Sequence, residues 1–220
     1  MRMLIFGQTQ TGKTYYAHSL VSDYIRGNKH DRYVITDKHT DQYQKNLSDM
    51  GFSKVTLDKF KPDHINWYKL LQKEPRLFIH LSDMSNEQLI SHMTDLASDI
   101  SLLGNTFLVL DEAWEVWGVN KNLPDMESLV RAGEKTGIGW IFLTQQPIDV
   151  GMTLRQQADI FTTFRISEGR HLNKIYDYMG ERKIIKEKVP ALDEREYFQY
   201  NKKTQELIGP VSSDGVKMEV

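Results

Sequence analysis

Apolar and polar positions fall along this chain in short blocks that switch between two periods. The run MLIFG (3–7) is an uninterrupted apolar stretch closed by glycine, which suits a strand covered on both faces. KTYYAHSLVSDYIRG (13–27) then takes helical spacing, with Gly27 placed as a C-terminal stop. RYVITD (32–37), KVTLD (54–58) and RLFIHL (76–81) predict three more strands. SNEQLISHMTDLASDISLLG (85–104) predicts a helix, because Ser85 and Gln88 make a capping box and Gly104 closes the pattern. TFLVLD (106–111), a polar loop, a helix over ESLVRAGEK (127–135), and the strands GWIFLTQ (139–145) and DIFTTFRI (159–166) follow. REYFQYN (195–201) and QELIGPV (205–211) read as a terminal hairpin or edge strands. Strands alternating with helices predict an α/β fold, a mostly parallel central sheet flanked by helices on both faces, with a β-rich C-terminal trim.

Composition narrows the class without changing that reading. With 220 residues the chain fits one domain, 1–220, with a core over 1–166 and a C-terminal helix and hairpin over 167–220. It is 40% hydrophobic and 26% charged, and no segment approaches the run of about 18 apolar residues that a membrane helix needs. The N-terminus lacks the basic, apolar, small-residue order of a signal peptide. Cysteine is absent, which excludes disulfides and thiolate metal sites. A net charge of -2 means that a polyanionic partner has to be held by local patches. The seven histidines show no metal-ligand spacing.

Chemistry enters at GQTQTGKT, which satisfies G-x-x-x-x-G-K-[ST] between a strand and a helix. Backbone N–H groups of Gly7, Gln8, Thr9, Gln10, Thr11, Gly12, Lys13 and Thr14 are placed to wrap phosphates at the positive end of the helix. Lys13 would reach the β- and γ-phosphates, and the Thr14 hydroxyl would bind Mg2+. Downstream, FLVLDEAW (107–114) brings Asp111 out at the C-terminal end of a buried strand, where α/β sheets place ligands. Asp111 suits the Mg2+ shell, and Glu112 suits a general base for the water that attacks the γ-phosphate. A nucleoside kinase needs no such glutamate, since its nucleophile is the substrate. GIGWIFLTQQP (137–147) ends beside the Asp111 strand in a parallel sheet, so that Thr144 and Gln145 face the γ-phosphate or the attacking water.

GQTQTGKT, Asp37 ending the second strand, LVLDEAW, RAGEKTGIGWIFLTQQP and RQQADIFTTFR occur in that order. Over residues 3–166 the chain resembles the HerA/FtsK superfamily of pumping ATPases, and within it the genome-packaging ATPases of membrane-containing tailless icosahedral viruses. The resemblance implies a RecA-like (ASCE) core, ATP with Mg2+, a ring oligomer, often a hexamer, and ATP-driven movement of double-stranded DNA into a preformed capsid. It also implies docking on capsid or portal-vertex proteins, and a location in the host cytoplasm or at the packaging vertex. Such families place an arginine just before the sensor strand, where it reaches the neighbouring subunit's ATP. The matching residue is Arg131, assisted by Lys135, with Arg155 and Arg165 in reserve; Glu134 stands where relatives often carry a basic residue. An ordinary solvated helix arginine fits Arg131 equally.

Two patches suit DNA, and the sequence does not choose between them. One is the loop EVWGVNKNLPDM (115–126) with Trp117, Asn120, Lys121 and Asn122; the other is the basic stretch 164–187, which a solvated helix face would also explain. Trp114 and Trp117 fit core packing as well. Filamentous-phage virion assembly ATPases offer an alternative, which the missing membrane segment disfavours. A small nucleotide kinase is a further one, which Glu112 and TQQP disfavour.

Overall fold

A computed structural model of the protein describes residues 1–37, 44–58, 65–116 and 124–214. Strand β1 (Arg2–Phe6) leads into helix α1 (Lys13–Arg26), followed by β2 (Arg32–Asp37), α2 (Gln44–Asp49), β3 (Ser53–Leu57), α3 (Trp67–Lys73) and β4 (Arg76–Leu81). Then come α4 (Asn86–Leu103), β5 (Thr106–Leu110), α5 (Ala113–Val116), α6 (Pro124–Thr136) and β6 (Gly139–Thr144). The chain finishes through α7 (Met152–Gln157), β7 (Ile160–Thr163), α8 (Gly169–Met179), α9 (Arg182–Lys188), β8 (Glu196–Asn201) and β9 (Glu206–Ser212).

The described strands form one sheet in the order β3-β4-β2-β5-β6-β1-β7-β8-β9. Pairings from β3 through β7 are parallel, and β8 and β9 add antiparallel. Side chains alternate across each strand, so β1 splits its apolar run between two cores. Met3 and Ile5 pack with Tyr16, Leu20 and Val21 of α1 on one face. Leu4 and Phe6 join the larger core on the other, with residues of α3, α4 and α6 to α9. Coverage on both faces explains why these strands read as continuous apolar blocks rather than alternating ones.

Local signals account for the ends of several elements. Ser85 caps α4 reciprocally with Gln88, each side chain accepting the other's backbone N–H at 3.2 Å. Helix α6 begins at Pro124, earlier than the apolar spacing alone suggests, since proline is pre-set for a first turn. The basic stretch 164–187 is mostly helix, α8 and α9. The terminal hairpin is part of the main sheet, with β8 pairing with β7. Strand β7 stops at Thr163, short of the expected 166.

This topology sets up the site. Strand β6 lies between β1 and β5, and β5 lies beside β2, all parallel. Their C-terminal ends therefore deliver the phosphate loop, Gln145, Asp111 and Asp37 to one edge of the sheet.

Candidate active site

The phosphate loop is folded over a very close approach of chain segments. A Cβ at Gly7 would lie 2.8 Å from Phe164 Cβ and 2.9 Å from Thr11 Oγ1, so only glycine fits there. Gly12 has φ +100°, in the left-handed region, immediately ahead of α1. The main chain is pinned at both sides, Gly7 N–H donating to Thr144 O (3.3 Å) and Gln8 N–H to Arg165 O (3.0 Å). No side chain caps the start of α1. Its first-turn N–H groups have no acceptor within the helix, which is the geometry of an anion site. Lys13 is buried and folds back on the loop, its Nζ donating to Gln8 O at 2.8 Å. Burial lowers the Lys13 pKa, while Asp111 and Glu112 raise it.

The acidic half is linked to the loop by a chain of side-chain bonds. Thr9 Oγ1 donates to Gln145 Oε1 at 2.8 Å, and Gln145 Nε2 donates to Glu112 Oε1 at 2.5 Å. Trp114 Nε1 donates to the other carboxylate oxygen, Glu112 Oε2, at 2.9 Å. Glu112 is buried and its backbone sits at φ +48°, a conformation that non-glycine residues rarely adopt and that recurs at functional sites. The Asp111 Oδ1 carboxylate accepts the Glu112 N–H at 2.9 Å and braces that turn.

Asp111 also accepts from the Thr14 hydroxyl, at 3.2 Å through Oδ2. Burial, then the neighbouring charges of Asp37 and Glu112, push its pKa up to about 6, against the pull of Lys13 and of the Glu112 N–H. A carboxylate crowded by two others and paired with a hydroxyl is a hard-oxygen donor set short of positive charge. It fits Mg2+, which takes one or two protein ligands and completes its shell with water and phosphate oxygens. Among the described residues no cluster of three or more His, Asp or Glu could hold a metal without such help.

No protein-family model and no curated protein matches the sequence. Solved structures do match the fold. The genome packaging NTPase B204 of Sulfolobus turreted icosahedral virus 2, solved with AMP, superposes with TM-score 0.71 at 19% identity, covering 96% of this chain and 97% of that one. VirB4 of Thermoanaerobacter pseudethanolicus gives 0.67 at 11% identity over 94% and 87% of the two chains. The bacterial conjugative coupling protein TrwB gives 0.64 at 12% identity over 91% and 82%. The chain shares the fold of these structures.

Within this fold the arginine candidates diverge. Arg131 lies exposed on α6, its guanidinium 3.7 Å from Glu127 and 3.5 Å from Thr153, and it bonds none of Lys13, Asp111, Glu112 or Gln145. Arg155 bonds the Tyr178 hydroxyl (3.4 Å) and lies over that ring, so it is the engaged member of the reserve pair. Arg165 is exposed. Its side chain begins two residues past β7, where the chain has left the sheet. Trp117, Asn120, Lys121 and Asn122 lie outside the described residues, as does the side chain of Glu134. Three contributors escape a reading of the sequence: Asp37 as a charge on Asp111, Trp114 as a donor to Glu112, and Thr9 as a donor to Gln145. Of these only Asp37, polar at the end of an apolar strand, leaves a local signal. No helix among the described residues is long and apolar enough to cross a membrane.

Proposed function

We propose that the protein is an ATPase that translocates double-stranded DNA, specifically a viral genome-packaging motor that pumps DNA into a preformed capsid. The observation that carries the hydrolytic part is the chain Thr9–Gln145–Glu112, which runs from the phosphate loop to a buried carboxylate beside the Thr14–Asp111 pair. The likeness of fold to B204, VirB4 and TrwB supports the motor part.

In this reading Gly7 to Thr14 bind the triphosphate, and Lys13 exchanges the Gln8 carbonyl for phosphate oxygens. Bound Mg2+ would be held by Thr14 and Asp111 and would supply charge to the β- and γ-phosphates. Glu112 accepts a proton from water as its oxygen bonds the γ-phosphorus and the bond to the β-phosphate oxygen breaks, leaving ADP and phosphate. A positioned base of this kind contributes about 10²–10⁴ in rate. Gln145 touches both Thr9 and Glu112, so a γ-phosphate arriving at the loop and the state of the base are read by one amide. Arg131 from the next subunit of a ring, in the family manner a hexamer, adds transition-state charge. Capsid or portal-vertex proteins dock the ring at the packaging vertex, in the host cytoplasm.

ATP turnover measured against protein concentration, with and without linear duplex DNA, tests this. Specific activity should rise as subunits assemble and rise again with duplex, whose binding weakens with salt. Duplex that neither stimulates nor binds removes the translocase reading, and absent turnover at every concentration removes the ATPase one.

A further inference from the structure

The phosphate loop and the carboxylates account for the triphosphate end of a nucleotide, and nothing described so far holds its base. The sheet order suggests a side of the loop on which to look for it. Asp111, Glu112 and Gln145 stand at the ends of β5 and β6, to one side of β1. On the proposed reading the γ-phosphate faces that side, so the α-phosphate and nucleoside would leave the loop on the other, toward β7 and β8.

On that side the turn ahead of β8 is docked onto the phosphate loop. Arg195 N–H donates to Thr11 O at 3.0 Å, and Ser213 N–H, from the residue after β9, donates to Arg195 O at 2.8 Å. The approach is close enough that a Cβ on Gly12 would lie 3.1 Å from Arg195 Cα. Arg195 itself holds φ +66°. Its guanidinium lies 4.7 Å from the centroid of the Tyr15 ring and is bound by Asp214 at 2.8 Å. Tyr15, in the first turn of α1, is one of few large apolar side chains left exposed among the described residues, at 37%. The Arg195 side chain is 41% exposed. A planar cation over an aromatic ring, both partly open to solvent and both joined to the phosphate loop, lies on the side where the nucleoside would leave.

We infer that Tyr15 and Arg195 form the base subsite of the nucleotide site, taking the purine ring of a nucleoside triphosphate by stacking and cation–π contact. The inference rests on the ATPase reading of the same loop. It also gives the C-terminal hairpin a part in ligand binding, since the hairpin presents Arg195.

Affinities for Mg·ATP and Mg·tripolyphosphate, measured by calorimetry, separate the two readings. The wild-type protein should bind ATP more tightly than tripolyphosphate, and the ratio of the two affinities is the readout. Tyr15→Ala and Arg195→Gln should each lower the ratio about fivefold or more, the lower end of base–aromatic stacking, with tripolyphosphate affinity held within about twofold. Tyr15→Phe should keep the ratio. Glutamine is chosen because Gln10 and Gln205 already occupy left-handed backbone here, at φ 58° and 60°. A ratio near one in the wild type, or a ratio unchanged in both variants, overturns the base subsite. Equal loss of both ligands in a variant leaves the ratio unchanged and counts the same way. Binding of neither ligand by the wild type removes the ATPase reading itself.

Discussion

The two halves of the candidate hydrolytic site are built on opposite terms. The half within one chain is buried and cross-linked: Lys13 on Gln8, Thr14 on Asp111, Glu112 clamped between Gln145 and Trp114. The arginine half, Arg131, is 59% exposed at its side chain and held by an i,i+4 pair with Glu127 at 3.7 Å. Such exposed helix pairs are worth about 0.3–0.5 kcal/mol, so on the proposed reading a phosphate from another subunit would displace this one at small cost. On the proposed reading, the groups needed in every turnover are fixed by a buried network, and the one that would change partners is left on the surface with a weak hold. The difference predicts that the first half fails by local chemistry and the second by assembly.

The sharpest way to break the comparison is at Arg131. If it completes the neighbouring site, Arg131→Ala should lower kcat by about 10³-fold or more, as loss of an arginine finger does. Nucleotide affinity and thermal stability should hardly change. Mixing Arg131→Ala with Lys13→Ala subunits should recover part of the activity, because some interfaces then pair an intact loop with an intact arginine. Full activity of the single variant, or no recovery on mixing, would place the trans charge elsewhere.

Glu112→Gln comes next. Gln is nearly isosteric and keeps an acceptor for Trp114, so nucleotide binding should persist while kcat drops about 10²–10⁴-fold. Recovery on mixing with Arg131→Ala subunits is not limited by the Glu112 subunit's arginine, which remains intact. An active Glu112→Gln enzyme would take the base role away from this residue.

What the sequence made legible follows range. The strand, loop and helix around GQTQTGKT, and the strand ends LVLDE and IFLTQ, are local patterns, and neighbouring positions in a parallel sheet follow from them. The parts that depend on distant contacts were not legible. Thr9 and Gln145 are separated by 136 positions, and nothing near either threonine or glutamine names the other. Trp114 reads as core packing, because an aromatic in a helix start usually is; only the left-handed turn at Glu112 brings the carboxylate to its indole N–H. Arg195 stands at the mouth of a hairpin that looked like trim. Its contact with Gly12 exists because β8 joins the main sheet beside β7. One helix was expected ahead of the hairpin over 167–220; two form, α8 and α9, and α8 buries Leu172, Ile175, Tyr176 and Met179 along one face.

Asp111 tests the buried half by stability rather than rate. Its pKa in the fold is about 6, against a usual carboxylate value of 3.8, so the folded metal-free protein holds this proton more tightly than the unfolded chain. The group's contribution to stability is therefore full below about pH 4 and is lost as pH rises through 6. Asp111→Asn removes that penalty. After allowance for weaker bonds to Thr14 and to the Glu112 N–H, the metal-free variant should be more stable by about 2 kcal/mol at pH 7, or roughly 4–8 °C in Tm. The gain should vanish near pH 4, and Mg2+ should no longer strengthen nucleotide binding. A variant less stable than wild type at pH 7 would mean that the hydrogen bonds outweigh the charge crowding.

Trp114→Phe asks the smallest question of that half, whether the clamp on Glu112 matters once the residue is in place. Phenylalanine keeps an aromatic ring and deletes the N–H that meets Glu112 Oε2 at 2.9 Å. A hydrogen bond to a charged group is worth about 1.5–3 kcal/mol, so a kcat lower by about tenfold or more is expected, with KM unchanged because no nucleotide contact is removed. The split between the two constants separates positioning from packing. A packing defect would lower Tm and raise KM together, whereas a loosened base lowers kcat alone. Unchanged kcat would show that Gln145 and the braced Asp111–Glu112 turn hold the carboxylate without help, and that the buried half is more redundant than its bonds suggest.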